Sequence, residues 1–539
     1  MGLSRFERPA DGTALAQGLV LLPLGGLIAW WGLADGGYDP VQWQPGALAL
    51  LPLAALVACT PALRRRRQPT RRLQVALGAF ALYTAWSYAS IAWAGDPGTA
   101  LEGAHRCALY LVAMIVVGAS VPDPRVLRGA GLVVAGLIGL AAVVTLARIS
   151  GADGPAGLLQ DGRLYAPLGY FNANAAFWTT GALFGCVAAS QRETPAVFRV
   201  ALLGFAVLEV GLAIMAASRG WLFTLPLVLL LVLVLTPGRV RLAVATLVVA
   251  LAVFPALDAV LGPVRAGGGQ TLETGGTDTI RAARDAVRPL MLAGLGAFTA
   301  GIAGVLADRR LVLSAGARRV VRRTTAILAV AATAGAALAV ISVAPQPGDR
   351  LERAWEEFKA NDTSKLSGAS RFSSTGSSRY DFWRVATDLT GKHPLLGIGQ
   401  DNFAQPYVAR RAIDYEEPRW VHSLPLRALT HTGIVGAILL AVALGALAAG
   451  GIRIRERPSD RGAAALALAP LVVWTVHGSV DWLWEYPVLS VIALGLAAGA
   501  GNAQVVRRPE DLPAATRGRW AARAGAATVI ALGVVGVVA

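Results

Sequence analysis

The stretch VALLGFAVLEVGLAIMAASRGWLFTLPLVLLLVLVL (Val200–Leu235) holds two long apolar runs that meet at AASRGW (Ala216–Trp221), a polar turn with almost no loop. A helix rises about 1.5 Å per residue, so roughly 20 mostly apolar residues cross a hydrocarbon core about 30 Å thick. The two runs fit that template as spans at 198–216 and 220–236. Working outward, the same template finds spans at 14–33, 45–63, 74–94, 104–121, 127–148 and 174–190 on one side. On the other it finds 242–262, 289–307, 324–343, 423–450, 462–480, 486–501 and 522–539. The expected fold is an all-α polytopic transmembrane helical protein with about 12–15 spans.

Composition agrees. The chain is 55% hydrophobic and 15% charged, too little charge to cover a soluble protein of 539 residues. Its net charge of +16 comes almost wholly from arginine (46 Arg against 3 Lys), in short clusters between the apolar runs. That is the signature of the positive-inside rule, and it accounts for the basicity without a nucleic-acid partner. With the N-terminus inside, RRRRQPTRR (Arg64–Arg72), DRRLVLSAGARRVVRR (Asp308–Arg323), RIRERPSDR (Arg453–Arg461) and the link Arg507–Arg523 all fall on the cytoplasmic side. Opposite loops such as ADGGYDPVQWQPG and AGDPGTALEG carry no arginine. Cys59, Cys107 and Cys186 lie in or beside apolar runs, without the spacing of metal ligands. The first run lacks a convincing cleavage site and reads as a retained span.

One connection is long. Residues 344–421 form a 78-residue segment with 11 basic and 11 acidic side chains, expected on the outer side. It divides the chain into N-terminal helices (1–343), a large external loop (344–421) and C-terminal helices (422–539). The loop opens with DRLERAWEEFKAN, an amphipathic helix with Leu351, Trp355 and Phe358 on one face, and a second helix is expected to end near Gly391. Long ordered loops beside a scaffold often carry function.

Four polar clusters project to that outer side: GRLYAPLGYFNANAAFW (Gly162–Trp178), AASRGW, SSRYDFWRVATDLTGKHPLLGIGQDNF (Ser377–Phe403) and VHSLPLRALTHTGIVG (Val421–Gly436). Ionisable groups at membrane depth are costly and usually face a cavity, a partner or an anion. Arg219, Arg163 and Arg379 on one side would suit a phosphate or pyrophosphate, although Arg219 alone could snorkel to the interface. His422 titrates near neutrality and suits general-base work on a hydroxyl. His431 reads as a packing or hydrogen-bonding residue. In HGSVDWLWEYP (His477–Pro487), Trp482 and Trp484 read as an interfacial belt, while Asp481 and Glu485 are candidates to bind sugar hydroxyls or orient the base. Asn172 joins the substrate-binding candidates from the first cluster. The chain contains no Walker A loop, no nucleophile elbow, no dinucleotide fingerprint and no metal spacing, and neither metal nor cofactor is expected.

In these clusters the chain resembles the O-antigen ligase family of bacterial membrane glycosyltransferases, over roughly Leu158 to Gly436. The resemblance rests on RLYAPLGYFNANAAF, the SRG turn at Ser218–Gly220, the Ser377–Phe403 segment and the His-x-x-x-Leu…Gly-x-x-Gly pattern from His422 to Gly436. Ser423 stands where Asn is common, and Thr430–His431 replaces the usual acidic residue. The resemblance implies inverting, metal-independent transfer of a glycan from a polyprenyl-diphosphate-linked donor (undecaprenyl diphosphate) to a hydroxyl on a glycan, lipid or protein acceptor. It implies that Arg219 and Arg379 bind the diphosphate and that His422 is the base. It also implies a multi-pass protein of the bacterial cytoplasmic (inner) membrane, with its site on the periplasmic or extracellular side. The competing class is a transporter or flippase for a glycan or anionic solute, which also has many spans and buried charges.

Overall fold

The computed structural model describes residues 11–60, 69–121, 123–151, 157–267, 276–310, 355–360, 377–454 and 460–503, with isolated positions between 311 and 352. Helices begin where the sequence supplies caps. Thr70 and Asp96 accept from the backbone N–H three residues on, at 3.2 and 3.1 Å, and Asp123 accepts from Arg125 and Val126. Proline stands in the first turn after Asp39, Asp96 and Asp123, where its missing N–H costs nothing. The resulting helices are α1 (Asp11–Trp31), α2 (Pro40–Cys59), α3 (Arg71–Ala89), α4 (Pro97–Ser120) and α5 (Pro124–Ser150). A two-strand hairpin, β1 (Leu159–Gln160) and β2 (Arg163–Leu164), pairs Leu159 with Leu164 and Gln160 with Arg163. Then follow α6 (Phe171–Ser190), α7 (Ala196–Met215), α8 (Arg219–Leu235), α9 (Arg239–Val253), α10 (Leu257–Ala266) and α11 (Thr277–Arg310). After the long loop's α12 (Arg379–Lys392) and α13 (Ala404–Val408), the bundle resumes with α14 (Leu424–Ile454), α15 (Arg461–Gly478) and α16 (Pro487–Asn502).

The protein is an all-α polytopic membrane protein. Among the described residues, eight helices are long and apolar enough to cross a membrane, α9 and α10 counting as one, and Leu19–Trp31, α8 and α16 are shorter apolar helices. The expected spans at 324–343 and 522–539 lie almost wholly or wholly outside the described residues, as does Leu351. Residues 355–359 are helical, and Trp355 and Phe358 meet Tyr380 of α12 at ring separations of 5.9 and 5.8 Å. Leu22, Leu82, Leu140, Leu251, Phe254 and Leu295 are exposed on the outside of the bundle, as lipid-facing side chains require. The inside is lined by small residues: α15 and α16 are almost entirely buried, and a Cβ on Gly450 would stand 2.8 Å from Gly501 Cα.

The connections sort to two ends. At the arginine-rich end, Asp308 accepts from Arg199, Arg241 and Arg192 at 2.8, 3.1 and 3.4 Å. At the other end, α14 breaks at Gly433, whose backbone (φ 63°, ψ −172°) leaves the helix. The groups freed there are taken by residues 394–399: Ile398 donates to Thr430 O, Gly399 to His431 O, and Ile434 to Pro394 O, at 2.8–3.0 Å. A Cβ on Gly433 would lie 2.1 Å from Leu395 O. Gly433→Ala therefore destabilises the protein by about 1–3 kcal/mol, whereas Gly445→Ala in the same helix, with no atom within 4 Å of its added Cβ, does not. Thermal unfolding of the two variants in detergent checks this.

Candidate active site

The α15–α16 connection, residues 479–486, passes through the protein interior and includes a single 3-10 turn at Leu483–Glu485. A buried connection must bring partners for its polar groups. Asp481, fully buried, accepts from Tyr170 Oη at 2.8 Å, from Asn172 Nδ2, from the Trp482 backbone N–H at 2.9 Å, and from Arg379 Nη2 at 2.6 Å. Burial opposes its ionisation, but the Arg379 guanidinium, with His422, His477 and the Tyr170 hydroxyl, holds the carboxyl below its usual value. Arg379 thus arrives from the long loop, Asn172 and Tyr170 from the start of α6, and Asp481 from the α15–α16 connection.

Helix α12 presents Arg379, Phe382 and Trp383 on one face, the i, i+3, i+4 pattern of a helix. This face holds His422. The Phe382 ring lies 5.1 Å from the imidazole, and Trp383 Nε1 donates to the His422 carbonyl at 3.3 Å. His422 itself has φ 57°, a left-handed conformation uncommon outside glycine, which turns the chain sharply into α14. Its Nδ1 lies 2.8 Å from Trp420 O. A carbonyl only accepts, so Nδ1 carries the proton and Nε2 keeps its lone pair. Burial pushes the His422 pKa down to about 4; Asp481 pulls it up and Arg379 counters. The ring is therefore neutral at physiological pH, as a base must be.

Arg219 is the first residue of α8, next to the Ser218 cap, whose Oγ accepts from Trp221 N at 3.1 Å. Arg219 is buried, and the preceding Ala217 has φ 47°. Arg163 braces this turn from behind: its guanidinium donates to the Ala216 and Ala217 carbonyls at 3.3 and 3.5 Å and lies 3.4 Å over the Phe171 ring. The turn reaches the Asp481 cluster, since a Cβ on Gly220 would stand 3.6 Å from both Asp481 Oδ2 and His477 Nε2.

The structure therefore brings His422, Arg379, Asp481 and Asn172 together, sets the Arg219 turn against them, and places Arg163 behind that turn. Glu485 belongs elsewhere. It is fully buried and accepts from Arg427 Nε at 2.8 Å; Arg427 also donates to Asp401. Asp401 in turn meets Arg106 at 3.4 Å, and Arg106 meets Glu102 at 2.9 Å. Burial raises the Glu485 carboxyl, whereas Asp401, equally buried, is held low by Arg427 and His431. His431 is buried and accepts from the Asp401 backbone N–H at 3.3 Å, the hydrogen-bonding role expected of it.

The belt reading of two tryptophans is corrected. Trp484 is buried under the Arg427 guanidinium, 4.9 Å from its ring, and Trp482 packs 5.9 Å from His422 and 4.4 Å from Tyr170. Sequence reasoning also passed over Arg106, Asp401 and Arg427. Arg106 carried a signal: it is a charge inside an apolar run. Among the described residues, no group of three His, Cys, Asp or Glu side chains gathers to hold a metal ion.

Residues 293–441 match the family model described as O-Antigen ligase. The matched segment holds Arg379, Asp401, His422 and Arg427; Arg163, Asn172, Arg219, Asp481 and Glu485 lie outside it. No curated protein matches the chain.

Proposed function

Because the chain belongs to the O-antigen ligase family, a family of membrane glycan-ligase and polymerase type, we propose that it moves a glycan from a polyprenyl-diphosphate-linked donor to a hydroxyl acceptor. The observation that carries this reading is a neutral imidazole, with its lone pair on Nε2, beside the ion pair of Arg379 with the buried Asp481 and beside the Arg219 turn. The acceptor O–H gives its proton to His422 Nε2 while its oxygen attacks the anomeric carbon from the side opposite the diphosphate. The bond from that carbon to the diphosphate oxygen breaks, and its electron pair stays on the leaving group. Arg219 and Arg379 stabilise the growing negative charge, positioned donors being the largest source of such stabilisation. The products are an inverted glycoside and the polyprenyl diphosphate. Asp481 orients Arg379, Asn172 braces Asp481 and meets the donor's hydroxyls, Arg163 fixes the Arg219 turn and Glu485 fixes the start of α14.

The arginine distribution supports a cytoplasmic location for the Asp308 end and an outer location for the site, with residues 344–421 as the external segment of an inner-membrane protein. The test is mass analysis of products from a defined lipid-linked glycan and candidate acceptors. A glycan on a new acceptor means ligase, a longer glycan means polymerase, and flux into proteoliposomes without a covalent product means transport. The depressed His422 pKa adds a pH signature. Protonation removes the base only near pH 4, so the acid limb of kcat/KM lies there and not near the roughly 6.5 of a free imidazole.

A further inference from the structure

We infer that Trp482, flanked by Tyr170 and Tyr38, forms the platform on which the first sugar of the lipid-linked donor lies; this rests on the glycosyl-transfer reading above. Tyr38, Tyr170, His422 and Trp482 are each partly exposed, while Tyr486 and Trp420 are buried behind them. Trp482 is the hub: its ring is 4.4 Å from Tyr170, 5.4 Å from Tyr38 and Tyr486, and 5.9 Å from His422. A hydrophobic core would hide such rings, yet these open beside the imidazole.

Position along the reaction axis gives the platform its ligand. An inverting displacement sets the base and the diphosphate on opposite faces of the anomeric carbon, so the transferred sugar lies between them. Trp482 adjoins both groups. Its backbone N–H donates to Asp481, which grips Arg379, and its ring faces His422. Tyr170 spans the same gap, its hydroxyl on Asp481 and its ring on Trp482. A pyranose presents a face of C–H bonds with slight positive charge, which suits the negative face of an aromatic ring, and its rim of hydroxyls needs polar neighbours. Asn172 Nδ2 and the Tyr38 hydroxyl border the rings on that rim.

The test uses the purified full-length chain and two probes, a short-chain polyprenyl diphosphate bearing one N-acetylhexosamine and the same lipid diphosphate without sugar. Trp482→Leu weakens binding of the sugar-bearing probe about tenfold, the order expected for one ring contact, and leaves the bare probe unchanged. Trp482→Phe keeps most of the affinity. Tyr38→Leu, at the edge of the cluster, shows a smaller loss of the same selectivity and serves if Trp482→Leu does not fold. Equal weakening of both probes, or no weakening of the sugar-bearing one, overturns the platform while leaving the diphosphate site standing. Failure of the unaltered protein to bind either probe overturns the glycosyl-transfer reading, and the platform with it.

Discussion

His422→Asn lowers the transfer rate by about two to four orders of magnitude while leaving the protein folded, the range expected when a general base is lost. Asparagine is the informative substitution because residue 422 has φ 57°, a conformation that Asn adopts far more readily than Ala. Its amide nitrogen can still donate to Trp420 O in place of Nδ1, so the backbone turn into α14 survives. What Asn lacks is a lone pair basic enough to take the acceptor's proton. His422→Ala removes the same function but adds backbone strain, so its loss mixes two causes. The measurement is initial rate with a defined lipid-linked glycan, with melting temperature in detergent as the control. Full activity in the Asn variant would remove His422 from the mechanism.

The largest effect on stability falls at Arg427. Arg427→Met leaves Asp401 with Arg106 and His431, and takes from Glu485 its hydrogen-bonded ion-pair partner, all inside the bundle. Removing one partner of a buried ion pair costs about 3–5 kcal/mol, because the remaining charge is stranded away from water. The two carboxylates respond differently. Glu485→Gln costs less, since burial raises this carboxyl and the amide oxygen can still accept from Arg427 Nε. Asp401→Asn costs more, since this group is ionised and serves both Arg106 and Arg427. Combining Arg427→Met with Glu485→Gln and Asp401→Asn recovers part of the loss. Melting temperatures of the single and combined variants, read by size-exclusion recovery after heating, give the coupling directly. Additive losses across the set would show that the network is not one electrostatic unit.

Membrane crossing was legible because it depends on local apolar length and on arginine placement, both of which are written in one dimension. The turn at Arg219 and the polar segments that bring Arg379 and His422 were legible for the same reason: polar residues interrupt apolar runs there. What the sequence hid is which helices are central. Pro487–Asn502 and Pro40–Cys59 are both apolar, yet the first is wrapped by protein and the second largely faces outward, because lipid and a helix interior ask for the same residues. Without that distinction Trp482 and Trp484 look interfacial, and Glu485 looks like a partner of sugar when its partner is Arg427. The Arg106–Asp401 contact joins residues almost three hundred positions apart, beyond the reach of any periodicity.

The buried connection between α15 and α16 also sets an order of assembly. A ribosome releases Arg106, Tyr170, Asn172, Arg379 and Arg427 well before Asp481 and Glu485, since both carboxylates belong to the later helices. Until that last pair docks, Arg379 lacks its carboxylate partner Asp481 and Arg427 lacks Glu485. An intermediate of this kind leaves Arg427 with Asp401 alone and Arg379 without its carboxylate, so neither arginine has its full set of partners. Docking of the α15–α16 connection thus brings Asp481 to Arg379 and Glu485 to Arg427 in the same event, so both ion pairs close together.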